Sequence, residues 1–294
     1  MLVVVVSLSL TVSALRAQSP SVELVGELPQ VLGESSGVAV SRQNDGVLWT
    51  HNDSDNDPFL YAVDITGRLL GTFALESATV TDWEDVSLGP CIEDSAVHCL
   101  YVADTGDNMM QRPSYTIYIV AEPIVSPGIG IDATTVGPVR RMEFRYPDTA
   151  HDAEGLAVAP DGDVYIVTKG WQGMAQLYVI IRDVIVQAVH NGDTITAAVV
   201  EDVVVETGGA LPMLITGAAI SPSGDTLVAR SYVGLHFFHR NDVGLLWTRG
   251  LTCVFGYREP QGEAVDFLDE STLVLTSESL YGRPGTLHRV RCEM

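Results

Sequence analysis

A two-strand unit recurs five times along this chain. Its clearest copy, residues 153–169, has a polar opening residue, a short apolar strand, the turn Pro160-Asp161-Gly162 and a second apolar strand. Runs of Val, Ile and Tyr separated by Gly and Asp are typical of β-hairpins. An internal repeat constrains a fold more than any other sequence signal. The five strand pairs are predicted at 36–40 and 47–51, 84–88 and 100–104, 154–159 and 164–168, 216–220 and 225–230, and 263–267 and 271–276.

Most units supply two further strands after the inner pair, and four-stranded units repeated in this way are the blades of a β-propeller. The last unit lacks its fourth strand, and the strand predicted at 22–28 would supply it and close the ring. We therefore predict an all-β fold, a five-bladed β-propeller of four-stranded blades closed by an N-terminal strand. The outer strands are predicted at 59–63, 69–73, 115–120, 141–145, 176–180, 198–203, 235–238, 251–255 and 286–290.

The spacing of the units leaves one alternative. The first and fourth steps between unit openings are 48 and 47 residues long, whereas the second and third are 70 and 62 and must carry insertions. A degenerate sixth blade within 183–214, centred near 194–200, would also account for the added length. No segment shows a helical period of convincing length, so we expect no helix.

The composition and net charge of the chain limit the kinds of partner that it can bind. The chain is 46% hydrophobic and 18% charged, which is typical of a globular protein. Its net charge of −22 argues against nucleic acid and anionic membranes as partners, because their phosphates would be repelled. We expect a monomer whose partner is a small anionic molecule or an unknown protein.

The N-terminal residues 1–17 form an apolar segment of signal-peptide length, too short to span a bilayer. Residues 18–294 would then be a single propeller domain, secreted or periplasmic, with no membrane segment after cleavage of the leader. The four cysteines fit an oxidising compartment. Four cysteines allow three pairings, and position favours Cys91 with Cys99 and Cys253 with Cys292.

The inner strand of each blade lines the central channel of a propeller, so the first residues of these strands meet at one channel mouth. These five openers all carry oxygen: Ser36, Glu84, Glu154, Thr216 and Glu263. Three glutamates around a narrow axis raise one another's pKa, and a cation relieves this repulsion. A ring of oxygens without His or Cys suits calcium, which accepts about 6–8 irregularly placed oxygens. Alternatively, the openers bond to strand backbone or meet an arginine that plugs the channel.

The same order of residues resembles the calcium-activated nucleotidases, or soluble apyrases. The resemblance rests on Ser36, Glu84, Glu154 and Glu263, with Thr216 in place of a serine, and covers the blade framework without a continuous sequence match. It implies a secreted five-bladed propeller with a central calcium held by serines and glutamates. That family's nucleotide-binding segments are missing here, so the resemblance implies the ring and the ion more than nucleotide hydrolysis. Two sequence segments, 81–85 and 104–108, also resemble uncharacterised secreted bacterial propellers. This second resemblance implies no function.

Second strands run back toward the same mouth, so the residues at their ends should surround the ion. His51, Asp53 and Asp104 are candidate bases there, while Lys169 and Arg230 would form a cationic island that attracts phosphate or carboxylate. Alternatively, the two cations pair with Asp104, Asp107 or Glu278 and only neutralise the mouth.

Two functions from different classes fit this arrangement. One is calcium-dependent, metal-assisted hydrolysis of an anionic phosphorylated or ester compound. The other is a non-enzymatic secreted propeller that binds a ligand or a protein and uses calcium structurally. The fold alone does not choose between them.

Overall fold

The computed structural model describes residues 20–54, 56–126, 132–241, 247–256 and 259–292. Their strands form five sheets whose innermost strands contact one another in a closed ring. The predicted five-bladed β-propeller is therefore confirmed. The leader predicted at 1–17 lies outside the described residues.

Each blade adds its strands in chain order from the channel outward. The strand that precedes the first blade is β1 (Ser21–Glu27). Blade 1 contains β2 (Ser35–Val40), β3 (Val47–Asn52), β4 (Phe59–Asp64) and β5 (Leu69–Leu75). Blade 2 contains β6 (Trp83–Pro90), β7 (His98–Asp104), β8 (Tyr115–Ala121) and, after the inserted strand β9 (Thr134–Val136), β10 (Arg140–Arg145).

Blade 3 contains β11 (Ala153–Val158), β12 (Val164–Thr168), β13 (Met174–Ile180) and, after the insertion α1 (Arg182–Asn191) and β14 (Ile195–Thr196), β15 (Ala198–Glu206). Blade 4 contains β16 (Ile215–Ile220), β17 (Thr226–Ser231), β18 (Gly234–Arg240) and β19 (Trp247–Val254). Blade 5 contains β20 (Gln261–Phe267), β21 (Leu273–Glu278) and β22 (Thr286–Arg291). Two 3₁₀ turns span Gln30–Leu32 and Leu211–Met213.

The ring is closed by β1, as predicted. It pairs antiparallel with β22, with Ser21 opposite Arg291 and Glu27 opposite Thr286. The last sheet thereby reaches four strands, and its outer edge comes from the other end of the chain. This pairing joins blade 5 to the segment that leads into blade 1.

The two long repeat steps carry insertions that extend the preceding blade. The insertion in blade 2 provides β9, which pairs parallel with β5 of blade 1. The insertion in blade 3 provides α1 and β14, and β14 pairs parallel with β10 of blade 2. The six-blade alternative is therefore wrong, because 183–214 contains a helix, an added edge strand and the outer strand of blade 3. The expectation of no helix is also wrong: Ile185 and Ala188 of α1 are buried against the core between blades 2 and 3.

The hydrophobic core consists of five wedges, one between each pair of neighbouring blades. Trp49 and Trp83, for example, fill the wedge between blades 1 and 2. The inner strands β2, β11 and β16 are buried along their whole length. Such packing on both faces holds the start of each inner strand in a fixed place.

Both predicted disulfides are confirmed. Cys91–Cys99 joins β6 and β7 at the far end of their hairpin, and Cys253–Cys292 ties the end of the chain to β19 of blade 4. In the part of the chain that the structure describes, no helix has the length and apolar character needed to cross a membrane.

Candidate metal centre

The five predicted openers all lie at β-bulges. In blade 3, the pairing of β11 with β12 passes from Ala153 to Gly155 and skips Glu154. The same irregularity skips the opener of every other inner strand. A bulge leaves its extra residue unpaired and redirects its side chain. Each blade therefore places one polar side chain, that of its bulged opener, at the channel mouth.

Small residues after the openers let the inner strands approach closely. A Cβ atom on Gly155 would lie 2.8 Å from the Cβ atom of Ala218, and one on Gly217 would lie 2.7 Å from the carbonyl oxygen of Glu263. Since Cβ atoms do not tolerate such contacts, glycine sets the narrow diameter of the ring. Two openers of neighbouring blades are in direct contact, because Ser36 Oγ donates a hydrogen bond of 2.7 Å to the carbonyl oxygen of Glu84.

In blade 2 the residue after the opener is Asp85, whose side chain extends across the channel to blades 3 and 4. Its fully buried carboxylate accepts hydrogen bonds from Leu156 N at 2.8 Å and Ala218 N at 3.2 Å, besides Val86 N in its own blade. Burial raises its pKa well above the usual range, although these donors favour the charged form. Asp85 therefore ties the inner strands of blades 2, 3 and 4 together directly beside Glu84.

Two groups of carboxylates meet at the mouth and share Glu84. One carboxylate oxygen each from Asp53, Asp82 and Glu84 lies within 4.8 Å of the others, and the same holds for Glu84, Asp152 and Glu154. We call these five residues the acidic cluster. Glu84, Asp152 and Glu154 are buried, whereas Asp53 and Asp82 are only partly covered. The cluster therefore has a buried side and a side that faces solvent.

Two members of the acidic cluster, Asp82 and Asp152, were missed by the sequence analysis. Each stands two residues before a glutamate opener, so blades 2 and 3 share the motif Asp-x-Glu. The bulge separates the two acidic residues in the ladder and allows both side chains to reach the mouth. The repeated Asp-x-Glu spacing is the signal in the sequence that identifies these two residues.

Burial and mutual repulsion disfavour the charged forms of the cluster. Burial raises the pKa of Glu84 well above its usual range, and Glu154 and Asp53 raise it further. Burial likewise raises the pKa of Glu154 to about 7, against the attraction of Lys169. The pKa of Asp82 rises to about 6, through burial and the charges of Asp53 and Asp152. At neutral pH the cluster is thus a place where a cation is favoured.

The lone lysine of the chain lies at the buried side of the cluster. Lys169 Nζ forms an ion pair with Glu154 and lies 3.8 Å from Asp152 Oδ2. Burial opposes its charge, but Glu154, Asp152 and Glu84 outweigh that effect and raise its pKa. Lys169 therefore balances only part of the charge that the five carboxylates carry when they are ionised.

The rest of the predicted ring lies beside the cluster. Thr216 is fully buried, and its Oγ1 has no hydrogen-bond partner within the described part of the chain. Burial raises the pKa of Glu263 well above its usual range, and repulsion from Glu154 and Glu278 adds to this. Among the described residues, Glu263 belongs to neither of the two carboxylate groups. A buried hydroxyl that has no partner among the described residues is suited to serve as a further oxygen ligand for a cation.

Glycine also shapes the cluster from outside. A Cβ atom on Gly106 would collide with the Glu84 carboxylate and with the Asp82 carboxylate. The backbone N of Gly106 donates to the carbonyl oxygen of Asp82 at 3.1 Å. The turn after β7 therefore encloses two acidic side chains at a distance that no other residue type permits.

The candidate bases lie in different environments. Asp53 is in the cluster, and burial raises its pKa. Asp104 is buried and accepts bonds from the backbone N of Thr81 and Asp82, both at 3.2 Å, while Arg112 pairs with it at 2.9 Å. Asp104 therefore positions the loop that carries Asp82.

His51 is completely buried, and its ring packs edge-on against Trp83 with 5.7 Å between centroids. Burial lowers its pKa to about 4. A neutral, enclosed imidazole between blades 1 and 2 supports the packing there and does not face the solvent side of the cluster.

The structure does not bring Arg230 and Lys169 together as a cationic island. The fully buried Arg230 donates to Thr276 O at 2.9 Å and to Ala264 O, and it forms an ion pair with Glu259. These bonds join blades 4 and 5. Arg230 thus acts at the neighbouring blade junction, while Lys169 acts in the cluster.

Comparisons with known proteins give no family. No protein-family model matches the chain, and no curated protein matches it. Among solved structures, it is similar to a PQQ-bound aldose sugar dehydrogenase from Streptomyces coelicolor at 12% identity and a TM-score of 0.49, over 95% of this chain and 100% of that one. It is also similar to a gluconolactonase from Xanthomonas campestris at 12% identity and a TM-score of 0.44, over 94% and 87% of the two chains.

A putative gluconolactonase is similar at 14% identity and a TM-score of 0.44, over 87% of this chain and 73% of that one. Identities and scores this low carry no conclusion about ligands or activity. The resemblance to the calcium-activated nucleotidases gains no support from these matches and stays a prediction.

Proposed function

We propose that this protein is a secreted propeller that binds calcium in the acidic cluster and hydrolyses a small anionic phosphorylated or ester compound there. The observation that carries the proposal is the pair of carboxylate groups that share Glu84, each within 4.8 Å. Five carboxylates with one lysine beside them would carry a negative excess once they ionise, and three of the five are buried. A divalent cation would offset this excess and favour the ionised carboxylates.

Calcium fits the donor set better than other common metals. The acidic cluster offers only oxygen ligands, whereas zinc and other soft or borderline metals prefer His and Cys. Calcium accepts about 6–8 oxygens in irregular geometry, while magnesium requires an octahedron. Asp53, Asp82, Glu84, Asp152 and Glu154 would hold the ion, and the predicted ring residues Ser36, Thr216 and Glu263 would supply further oxygens nearby.

The solvent-facing side of the cluster favours catalysis over a purely structural ion. Asp53 and Asp82 are partly exposed, so a ligand from solution can reach this side. A bound calcium would supply Lewis acidity toward a phosphoryl or carbonyl oxygen. Asp53, whose pKa is raised by burial, would use a carboxylate oxygen that is not on the ion to accept the proton of the attacking water as that water bonds to phosphorus or carbon. It would return the proton to the leaving oxygen as the bond to that oxygen breaks. Lys169 would keep Glu154 and Asp152 in place, because it pairs with both.

Secretion is proposed on two grounds. The two disulfides fit an oxidising compartment. The apolar segment 1–17 has the length of a signal peptide. Edman sequencing of the exported protein should begin near residue 18, and recovery of the protein only from the cytoplasm would contradict this part.

Hydrolysis is tested on the purified mature protein with 4-nitrophenyl phosphate, 4-nitrophenyl acetate, nucleotides and lactones. We expect turnover of at least one class in calcium, loss of turnover in chelator, and loss in Glu84→Gln. Asp266→Asn is the control, because it removes a partly buried acid at the other end of the inner strand β20 and should keep the activity. No turnover of any class in calcium would overturn the enzymatic proposal.

A structural, non-enzymatic role for the ion is the second candidate. The observation in its favour is that Ser36, Glu84, Glu154, Thr216 and Glu263 are all at most 4% exposed. A protein that calcium stabilises, yet that turns over none of these compounds, would support this reading.

A further inference from the structure

Large apolar side chains stand exposed beside the acidic cluster, on the same face of the propeller. Met109, Trp171, Met174 and Leu211 are 72%, 40%, 55% and 62% exposed. They lie in or beside the turns after β7, after β12 and before β16. The three other tryptophans of the chain are at most 5% exposed. An exposed tryptophan next to a charged site therefore calls for a reason other than packing.

Trp171 is connected directly to the acidic cluster. Its indole Nε1 donates a hydrogen bond of 3.0 Å to Asp152 Oδ2. Lys169 Nζ lies 5.7 Å from the centre of its ring. These contacts fix the orientation of the indole although much of it remains in solvent. A rigid aromatic surface of this kind loses little entropy when it binds a ligand.

Side chains from the turns of blades 2 and 3 meet beside Trp171. Met110, Trp171 and Met174 line one small cavity together with Asp152 and other polar side chains, among them His151 and Gln176. Gln172 Nε2 lies 3.4 Å from Met110 Sδ, which joins the turns of blades 2 and 3. Gly208 N donates to Gly173 O at 2.9 Å, so the turn that leads to Leu211 rests on the same loop.

We propose that Trp171, with Met110 and Met174, binds a flat apolar ring carried by the ligand whose anionic group reaches the acidic cluster. The ligand class is thus an aryl or other planar ring joined to a phosphate or carboxylate. This inference rests on the proposed function, because the ion provides the anchor for the anionic group. Trp171 determines specificity and takes no part in the bond-breaking step.

The test compares ring-bearing anions with the bare anions in saturating calcium. The probes are phenyl phosphate and benzoate against inorganic phosphate and acetate, which also separates the two anionic groups. Because Trp171 is the exposed tryptophan, acrylamide quenching of fluorescence reports mainly on it. We expect phenyl phosphate or benzoate to protect Trp171 from acrylamide, and the bare anions to give no protection.

Two variants of Trp171 distinguish its contact with the ligand ring from its hydrogen bond to Asp152. By calorimetry, Trp171→Ala should weaken binding of the ring-bearing anion about tenfold, the scale of one aromatic contact, and leave the bare anion within about twofold. Trp171→Phe keeps a ring without the indole N–H and should retain most of the affinity. Tyr281→Ala, which removes another exposed aromatic residue from this face, is the control and should change nothing.

Three outcomes overturn the inference. They are the absence of protection with calcium bound, an equal loss of bare and ring-bearing anions in Trp171→Ala, and a loss in Trp171→Phe as large as in Trp171→Ala. Calcium binding is measured separately in the same titrations. Its absence overturns the proposed function and this inference together, whereas calcium binding without protection overturns the inference alone.

Discussion

The Glu84→Gln variant should be less stable than the wild type in calcium, but at least as stable as the wild type in chelator. Glu84 is the residue that both carboxylate groups share, so Glu84→Gln removes an anionic ligand from each while keeping the size of the side chain. In chelator at pH 8, the variant should be at least as stable as wild type. The reason is that burial raises the pKa of Glu84, so its ionisation weakens the folded state.

The magnitude in calcium follows from linkage. At a concentration 100 times the dissociation constant, calcium should stabilise the wild type by about 2.7 kcal/mol. For a domain of this size that corresponds to a rise of about 5–10 °C in Tm. Loss of a residue that merely supports a ligand costs about 10–100-fold in metal affinity, so loss of a direct ligand should cost at least about 100-fold. The variant should then gain only about 0.4 kcal/mol at the same concentration.

The assay is thermal and urea unfolding of both proteins in calcium and in chelator. Asp266→Asn is the control for loss of a partly buried acid, since desolvation also raises the pKa of Asp266 to about 6. It should retain the full calcium shift. A full calcium shift in Glu84→Gln, or no shift in the wild type, would refute the reasoning.

Three further predictions concern pH, the disulfide and ring closure. In chelator, the free energy of unfolding of Glu154→Gln should rise by about 3 kcal/mol relative to wild type between pH 4.5 and 8. The reason is that the pKa of Glu154 is about 7 in the folded state and about 4.5 in the unfolded state, so wild-type stability falls as pH rises. The buried histidines have the opposite trend in both proteins and cancel in the difference, so urea titrations in which the difference stays constant would contradict the prediction. Replacing Cys253 and Cys292 by serine should lower the free energy of unfolding by about 2–4 kcal/mol. An unchanged urea midpoint would count against a stabilising role for this disulfide. Deleting 20–27 should remove the strand that closes blade 5 and cost several kcal/mol, so an unchanged Tm would argue against ring closure.

The repeat made the fold and the openers predictable from the sequence. An opener such as Glu154 is identified by its place before an apolar strand, and that place recurs with the repeat. The closing strand and the disulfides followed in the same way, because position along the repeat places them on neighbouring strands.

Residues at the ends of second strands were harder to place, because successive side chains of a strand point to opposite faces. His51 and Arg230 therefore point into blade junctions, whereas Lys169 reaches the mouth. The helix α1 was missed because Val184, Ile185 and Val186 favour strands by local preference. Its packing of Ile185 and Ala188 on the core overrides that preference.

The position of a bound ion tests the central claim most directly. Crystals grown in calcium, or with terbium in its place, should give an anomalous peak at the channel mouth. For calcium, we expect oxygens of Glu84 and of at least two among Asp53, Asp82, Asp152 and Glu154 at about 2.3–2.6 Å from the peak. No peak at the mouth, or a peak bound by Thr216 and Glu263 without Glu84, would contradict the acidic cluster as the metal centre.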